Sequence, residues 1–386
     1  LSPIFLAMGS IASSLLNAKG RFAASAIAPI VYNVAIISGA LLLASSLGIV
    51  GLAISVVAGS VAHFLVQLPT VRRIGYRYLP RIELADEAAR RALALMAPRA
   101  LGLGATQITF VVMTVLASTL PTGALTAFNT AFTLLQIPIG IIGVPLGIVV
   151  LPSLSREMAL GRTAEFAALV SRALRVILFV MLPLTGISLV LRHDIVQLLF
   201  GYGSFDAAAI DVTAATFGAF LVGLAAHALI AILARAFYAQ QDTKTPVAAA
   251  ILAVATNTLL AVVFVGPLGL PGLAIAIAIA AWIEAVVLFV LLARRVPELA
   301  LRPIARLAMR ALIVSALASV AAVASLQGLD AIFGADPGRL ALLVRMVVAT
   351  VVWALAVAAA SVVLRIEEFG SIVGLMVDAF RRPRRS

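Results

Sequence analysis

Leu47-Gly48-Ile49-Val50-Gly51-Leu52-Ala53-Ile54 returns 221 residues later as Leu268-Gly269-Leu270-Pro271-Gly272-Leu273-Ala274-Ile275, with six of the eight positions identical. Each copy lies where one long apolar run passes into the next with no charge between them. The junctions are Ser45-Ser46-Leu47-Gly48 and Gly266-Pro267-Leu268-Gly269. The residues ahead of the two copies also correspond, Lys19 and Asn33 pairing with Lys244 and Asn257 at offsets of 225 and 224. An ordered match of this kind marks an internal repeat. Because apolar runs of about 20 residues span the hydrocarbon core as helices, the chain reads as an all-α polytopic membrane protein.

Outward from the repeat, spans are predicted at 1–17, 22–47, 49–70, 92–118, 122–150, 167–191, 209–238, 245–265, 270–293, 303–326 and 340–364, about eleven transmembrane helices. With 63% hydrophobic and 11% charged residues among 386, and a mean hydropathy of +1.17, the composition excludes an ordinary water-soluble domain. Of the 28 Lys and Arg residues, 25 fall on one side of this topology, leaving only Arg192, Arg339 and Arg345 on the other. Lys and Arg are retained in cytoplasmic loops, so the C-terminus is expected in the cytoplasm and Leu1 on the outer side. The net charge of +12 then faces an anionic leaflet rather than nucleic acid. With no Cys and three scattered His, neither a disulfide nor a metal site is expected.

Both copies of the repeat follow a cationic loop and are interrupted by an uncharged one, so they run in the same direction, as in transporters built from two similar halves. The spans at 22–47 and 49–70 match those at 245–265 and 270–293, which makes the unit six helices. The second copy is complete and the first holds its last three helices. The expectation is therefore a parent of fourteen helices in two lobes, with three helices upstream of Leu1. The expected organisation is 1–71, the last three helices of an N-terminal lobe; 72–91, a cytoplasmic amphipathic connector; 92–295, a C-terminal six-helix lobe; 296–366, two additional helices; and 367–386, a basic cytoplasmic tail. Segments 80–91, 194–206 and 367–382 mix apolar and charged residues at helical spacing and read as surface helices. Leu1 opens an apolar helix without a basic leader, so no signal peptide is read.

No arrangement of Ser, His and acid, no phosphate-binding Gly loop and no facing pair of carboxylates occurs, so no catalytic residues are assigned and an enzyme is not expected. The informative residues are polar ones inside spans. Glu284 lies about fifteen residues into the ninth span, where a carboxylate must be paired, protonated or facing water. It reads either as a cavity or cation-coupling residue or as a neutral Glu bonded to a neighbouring helix. Gln107, Asn129, Thr133, Gln136 and Asn257 complete the candidate substrate cavity, with interhelical hydrogen bonding as the alternative role. His63 and His227 read as locally paired. Pro138, Gly140, Gly143 and Pro145 form a candidate hinge, followed by Gly147 and Pro152, because each Pro removes a backbone donor and crowds the preceding turn.

Several stretches are shared with a known family: Leu16-Asn17-Ala18-Lys19-Gly20-Arg21-Phe22; Pro98-Arg99-Ala100-Leu101-Gly102; Pro138-Ile139-Gly140 through Val150-Leu151-Pro152-Ser153-Leu154-Ser155-Arg156; and Arg235-Ala236-Phe237-Tyr238-Ala239-Gln240-Gln241-Asp242-Thr243-Lys244-Thr245-Pro246. In these the chain resembles the MurJ, or MviN, family of lipid II flippases, part of the multidrug/oligosaccharidyl-lipid/polysaccharide exporter superfamily. The resemblance implies fourteen helices, and lobes that rock about a central cavity to move undecaprenyl-pyrophosphate-linked peptidoglycan precursor to the outer leaflet of the bacterial cytoplasmic membrane. It also implies a groove for the lipid tail beside 303–326 and 340–364. No cofactor is implied; coupling to the membrane potential or a cation is, with membrane lipids and cell-wall synthesis proteins as associates of a monomer. Two departures stand out. Phe132 and Thr133 occupy positions where many members carry an Asp-Arg pair, and Met113 and Ala261 replace acidic or polar residues of the sodium site seen in some members, beside a retained Asn257. The expectation is a flippase piece inactive alone, with an exporter of another polyprenyl-linked glycan, or a non-transporting scaffold of a cell-wall complex, as alternatives.

Overall fold

The computed structural model describes residues 1–76, 87, 90, 104, 107–203, 205–333 and 338–370. All but residues 87 and 90 of the expected connector helix 80–91, the first part of the span at 92–118 apart from residue 104, and 371–382 of the expected surface helix 367–382 lie outside the described residues. Among those described, every regular element is helical. The chain divides into two compact units, Leu1–Arg91 and Ala92–Ser386.

The first unit holds α1 (Ser2–Ala18), α2 (Phe22–Leu65) and α3 (Leu68–Arg73). A straight helix of 44 residues would be about 66 Å long at 1.5 Å per residue, twice the hydrocarbon thickness. α2 instead turns at Gly48, whose φ of 55° and ψ of −134° are non-helical. Ser55 abuts Gly39, and Tyr32 faces Gly59, so the two arms run antiparallel. α1 is tied to the junction of α2 and α3 by Ser13 Oγ donating to Gln67 Oε1 at 2.8 Å.

The second unit contains α4 (Gln107–Ser118), α5 (Ala124–Pro138), α6 (Val144–Ala159), α7 (Thr163–Val190), α8 (Arg192–Phe200), α9 (Ala207–Leu221), α10 (Leu224–Ala239), α11 (Lys244–Arg295), α12 (Leu301–Phe333) and α13 (Arg339–Val363). α11 is a second hairpin, turning at Gly269 with φ 58° and ψ −138°. The repeat read in the sequence thus reappears as one backbone conformation used twice. The two copies pack alike: an added Cβ on Gly51 would sit 2.6 Å from the Leu43 carbonyl oxygen, and one on Gly272 2.5 Å from that of Phe264. The span at 1–17 coincides with the short helix α1, the described part of that at 92–118 with α4, and each remaining predicted span with a long helix, a hairpin arm or the bent pair α9 and α10.

Three details differ from the sequence reading. The uncharged junctions are not loops of four residues, since helix continues to the single turning glycine in each. The span at 209–238 is broken into α9 and α10, bent by 42°. At this break Gly223 meets the Ala278 backbone so closely that an added Cβ would lie 2.8 Å from its Cα, and the Trp282 indole N–H donates to the Val222 carbonyl at 2.9 Å. Finally, 122–150 continues as one long helix through a π turn, Ile139–Gly143, placed between Pro138 and Pro145. Such a turn accommodates backbone groups that proline leaves without their usual partners.

Small residues set the packing, as expected where lipid supplies no hydrophobic drive between helices. Gly186 of α7 lies against Ser315 and Ser319 of α12, and Ser315 Oγ donates to the Leu182 carbonyl at 2.9 Å. Outward, Ile251, Leu259, Val262 and Val263 of α11 are exposed, as a lipid-facing surface requires.

Candidate functional site

A cavity of about 420 Å³ lies wholly within the second unit, between α4, α5, α10 and the two arms of α11. Each arm of the hairpin presents one helical stripe to it. Ala250, Ala253, Val254 and Asn257 come from the first arm, and Ile277, Ala280, Ala281 and Glu284 from the second. Both sets follow the i, i+3, i+4, i+7 spacing of a helix face. The alanines make the room, and the polar residue closes each stripe. Asn257 lies about 18 Å and Glu284 about 22 Å from the turn at Gly269 by helical rise, so both sit near mid-membrane depth.

The opposite wall is aromatic. Phe128, Phe132 and Gln136, one turn apart on α5, face the cavity together with Phe110 of α4. Phe132 packs edge-on against Phe220 at 5.6 Å and tilted against Phe110 at 6.4 Å. Four of the six candidate cavity residues, Gln107, Gln136, Asn257 and Glu284, are therefore brought together. Asn129 and Thr133 are not among the lining residues, because they lie 100° further round α5 from Phe128 and Phe132. Thr133 Oγ1 is engaged by its own helix, donating to the Asn129 carbonyl at 2.8 Å. Of the hinge residues, Pro138 ends α5, Gly140 and Gly143 lie within the π turn, and Pro145 opens α6.

Polar groups inside this cavity are short of partners. Asn257 is 2% exposed, and neither its amide oxygen nor its nitrogen has a hydrogen-bond partner among the described residues. His227 also lines the cavity, with its Nε2 buried and unpartnered. The sequence reading took it as locally paired, whereas Nε2 has no partner among the described residues; a lone histidine in an apolar helix carries no pattern that shows which way it faces. The aromatic wall was missed too, although the four-residue spacing of Phe128, Phe132 and Gln136 was there to be read. Met113 and Phe132, standing where the resembled family carries charged residues, both line the cavity, whereas Ala261 is fully buried outside it. No Lys or Arg is among the lining residues.

A second polar arrangement closes the base of the α11 hairpin. Asp242 accepts the Lys244 amide at 2.8 Å and the Thr245 amide at 3.0 Å, capping the first arm. From the end of the second arm, Arg295 donates to the Asp242 carboxylate at 2.6 Å and to Thr245 Oγ1 at 2.9 Å. Its guanidinium lies 5.2 Å over the Phe237 ring. Burial works against the Asp242 carboxylate, but the hydrogen bonds from Thr245, Arg295 and the Lys244 amide hold it well below the usual carboxylate range.

Comparison with known proteins adds independent findings. The family model described as lipid II flippase MurJ matches residues 1–333. A lipid II flippase MurJ of Burkholderia cenocepacia is 34% identical over 298 residues, covering 76% of this chain and 58% of the relative. A probable lipid II flippase MurJ of Rhizobium tropici is 34% identical over 296 residues, covering 75% and 55%. The chain thus spans just over half the length of these curated relatives. Among solved structures, a lipid II flippase MurJ in an inward closed conformation aligns with a TM-score of 0.76 at 22% identity, covering 94% of this chain and 72% of that one. An inward-facing multidrug resistance MATE family transporter of the MOP superfamily aligns at 0.68 and 14% identity, covering 77% and 70%. These two likenesses establish the fold.

Proposed function

Because this chain belongs to the MurJ family of lipid II flippases, we propose that it serves in flipping lipid-linked peptidoglycan precursor from the cytoplasmic to the outer leaflet by alternating access. The observation that carries the reading is the mid-membrane cavity between the arms of the α11 hairpin, with Asn257 and Glu284 facing it from opposite arms. Binding near the bilayer midplane, beside helices that can rock as bodies, is how transporters of this architecture work. Glu284 serves there as the residue that couples movement to a cation or to the membrane potential. The C-terminus is cytoplasmic, in keeping with 25 of 28 cations on that side of the topology.

The test is rescue. Full-length protein is expressed in cells depleted of their lipid II flippase, and lipid II accessible at the cell surface is measured. Recovery of surface lipid II is expected; correct membrane insertion with no recovery overturns the reading. For orientation, a Cys at Gly266, where a side chain meets open space, should react with an impermeant thiol reagent from outside. A Cys at the exposed Leu160 should not.

One observation favours a second reading. With no Lys or Arg lining the cavity, the grip expected on a pyrophosphate is not supplied there. An exporter of another polyprenyl-linked glycan, joined through a single phosphate and so needing less cationic grip, accounts for this, and would rescue transport of that glycan but not of lipid II.

A further inference from the structure

Four guanidinium groups converge on a pocket of about 130 Å³ in the second unit. Arg175 comes from α7, Arg306 and Arg310 from successive turns of α12, and Arg365 from the turn that closes α13. Glu367 and Glu368 complete the ring, so the cations exceed the acids by two. The pocket is remote from the mid-membrane cavity and lies at the opposite end of α12 from Asp330, which pairs with Arg345 at 2.9 Å. Twenty residues of helix separate Arg310 from Asp330, about 30 Å.

Two features of this ring call for an anion, and a third places a further guanidinium on it. Arg175 bonds the buried Glu368 at 3.1 Å through one terminal nitrogen, yet its Nε is buried with no acceptor among the described residues. Arg306 and Arg310 stand four residues apart on one helix face, a repulsive spacing for like charges, and neither makes a hydrogen bond or ion pair with the described residues. Arg365 occupies the left-handed position after α13, with φ 51°, where glycine is usual. Ile366 N–H closes that turn on the Ser361 carbonyl at 3.0 Å. Guanidinium forks match the oxygens of a phosphate, and the pocket has room for several waters, enough for such a group. Beside it, Leu301, Met309, Leu312 and Ile313 of α12 are exposed apolar residues, a surface along which acyl chains can lie.

We propose that the pocket formed by Arg175, Arg306, Arg310 and Arg365 binds the phosphate of an anionic phospholipid at this face of the membrane. Basic pockets between membrane helices are suited to such headgroups. The site is separate from the transport cavity, and its readout is lipid retention, so it stands or falls independently of the flippase reading.

Full-length protein purified in detergent is mixed with equal amounts of phosphatidylglycerol and phosphatidylcholine, and retained lipids are counted by native mass spectrometry. Selective retention of phosphatidylglycerol is expected. R306Q/R310Q, two exposed positions, should weaken that retention about fivefold per cation removed, roughly thirtyfold together. R156Q/R294Q, which removes the same charge at two exposed positions outside the pocket on this face, should leave it unchanged. Equal retention of phosphatidylcholine overturns the proposal, and so does equal loss in the two double variants, which would reveal diffuse attraction. Displacement of the lipid by millimolar inorganic phosphate would assign the pocket to a free anion and overturn the lipid assignment. An unchanged melting temperature of R306Q/R310Q without added lipid verifies that folding is intact.

Discussion

Asn257 is buried and its amide has no hydrogen-bond partner among the described residues, and an amide so placed costs about 1–3 kcal/mol unless water in the cavity serves it. Facing the cavity, that amide is placed to meet substrate under the proposed function. Asn257→Leu is therefore expected to raise the melting temperature by roughly 2–4 °C for each kcal/mol recovered, while transport in the rescue assay falls. Unchanged transport would return Asn257 to a packing role. Glu284→Gln keeps the shape and removes the titratable carboxyl; under the proposed coupling role, loss of one charge-assisted contact with a cation, about 1.5–3 kcal/mol, should lower transport roughly tenfold or more without loss of folding. At this scale the sequence was partly legible. Depth within a span singled out Asn257 and Glu284, because polar groups are rare there. Asn129 and Thr133 were picked by the same criterion and miss the cavity, since depth does not reveal which way a helix face points. Only the partners of α5, supplied by α4 and α9, decide that Phe128 and Phe132 face inward.

The hairpins are the elements on which the architecture rests. Gly48 and Gly269 adopt a conformation close to the first position of a type II′ turn, open to glycine and strained for other residues. Gly269→Ala is expected to cost about 1–3 kcal/mol, seen as a lower melting temperature in detergent. Gly266→Ala, three residues earlier in the helix and facing open space, should not lower it and should add up to about 1 kcal/mol, alanine's advantage over glycine in a helix. The repeat motif announced both hairpins, but read them as short loops, because a helix needs only one non-helical residue to reverse and composition carries no sign of that. The bend between α9 and α10 was illegible for another reason. Leu221-Val222-Gly223-Leu224 is apolar throughout, and the groups that fix it, Trp282 and Ala278, lie some 55–60 residues away in the chain. Trp282→Phe should weaken the bend by about 1 kcal/mol, measured as a small fall in thermal stability.

Across the molecule, charge was the most legible property of all. Within the second unit Arg345 pairs with Asp194 and Asp330 at one end of α12, and Arg175, Arg306, Arg310 and Arg365 gather at the other, which is the asymmetry the sequence displays as a count. Asp242 and Arg295 belong to this layer too, and their pair predicts a pH effect. The Asp242 pKa is depressed on folding, so its stabilisation is complete above the ordinary carboxylate value near 4 and is lost as the pH falls below it. The melting temperatures of the protein and of Asp242→Asn should differ at pH 7 and draw together below about pH 4. A constant gap would exclude the charge as the source.

The one-residue turns at Gly48 and Gly269 also bear on how the chain enters the bilayer during synthesis. A reversal with no polar loop leaves nothing hydrophilic to be carried across, so the two arms can partition sideways from the translocation channel together, as one apolar wedge. Neither arm then has to choose an orientation for itself. The cations at the open ends of each hairpin hold back both arms at once, and an error of insertion would have to invert the pair rather than strand a single helix.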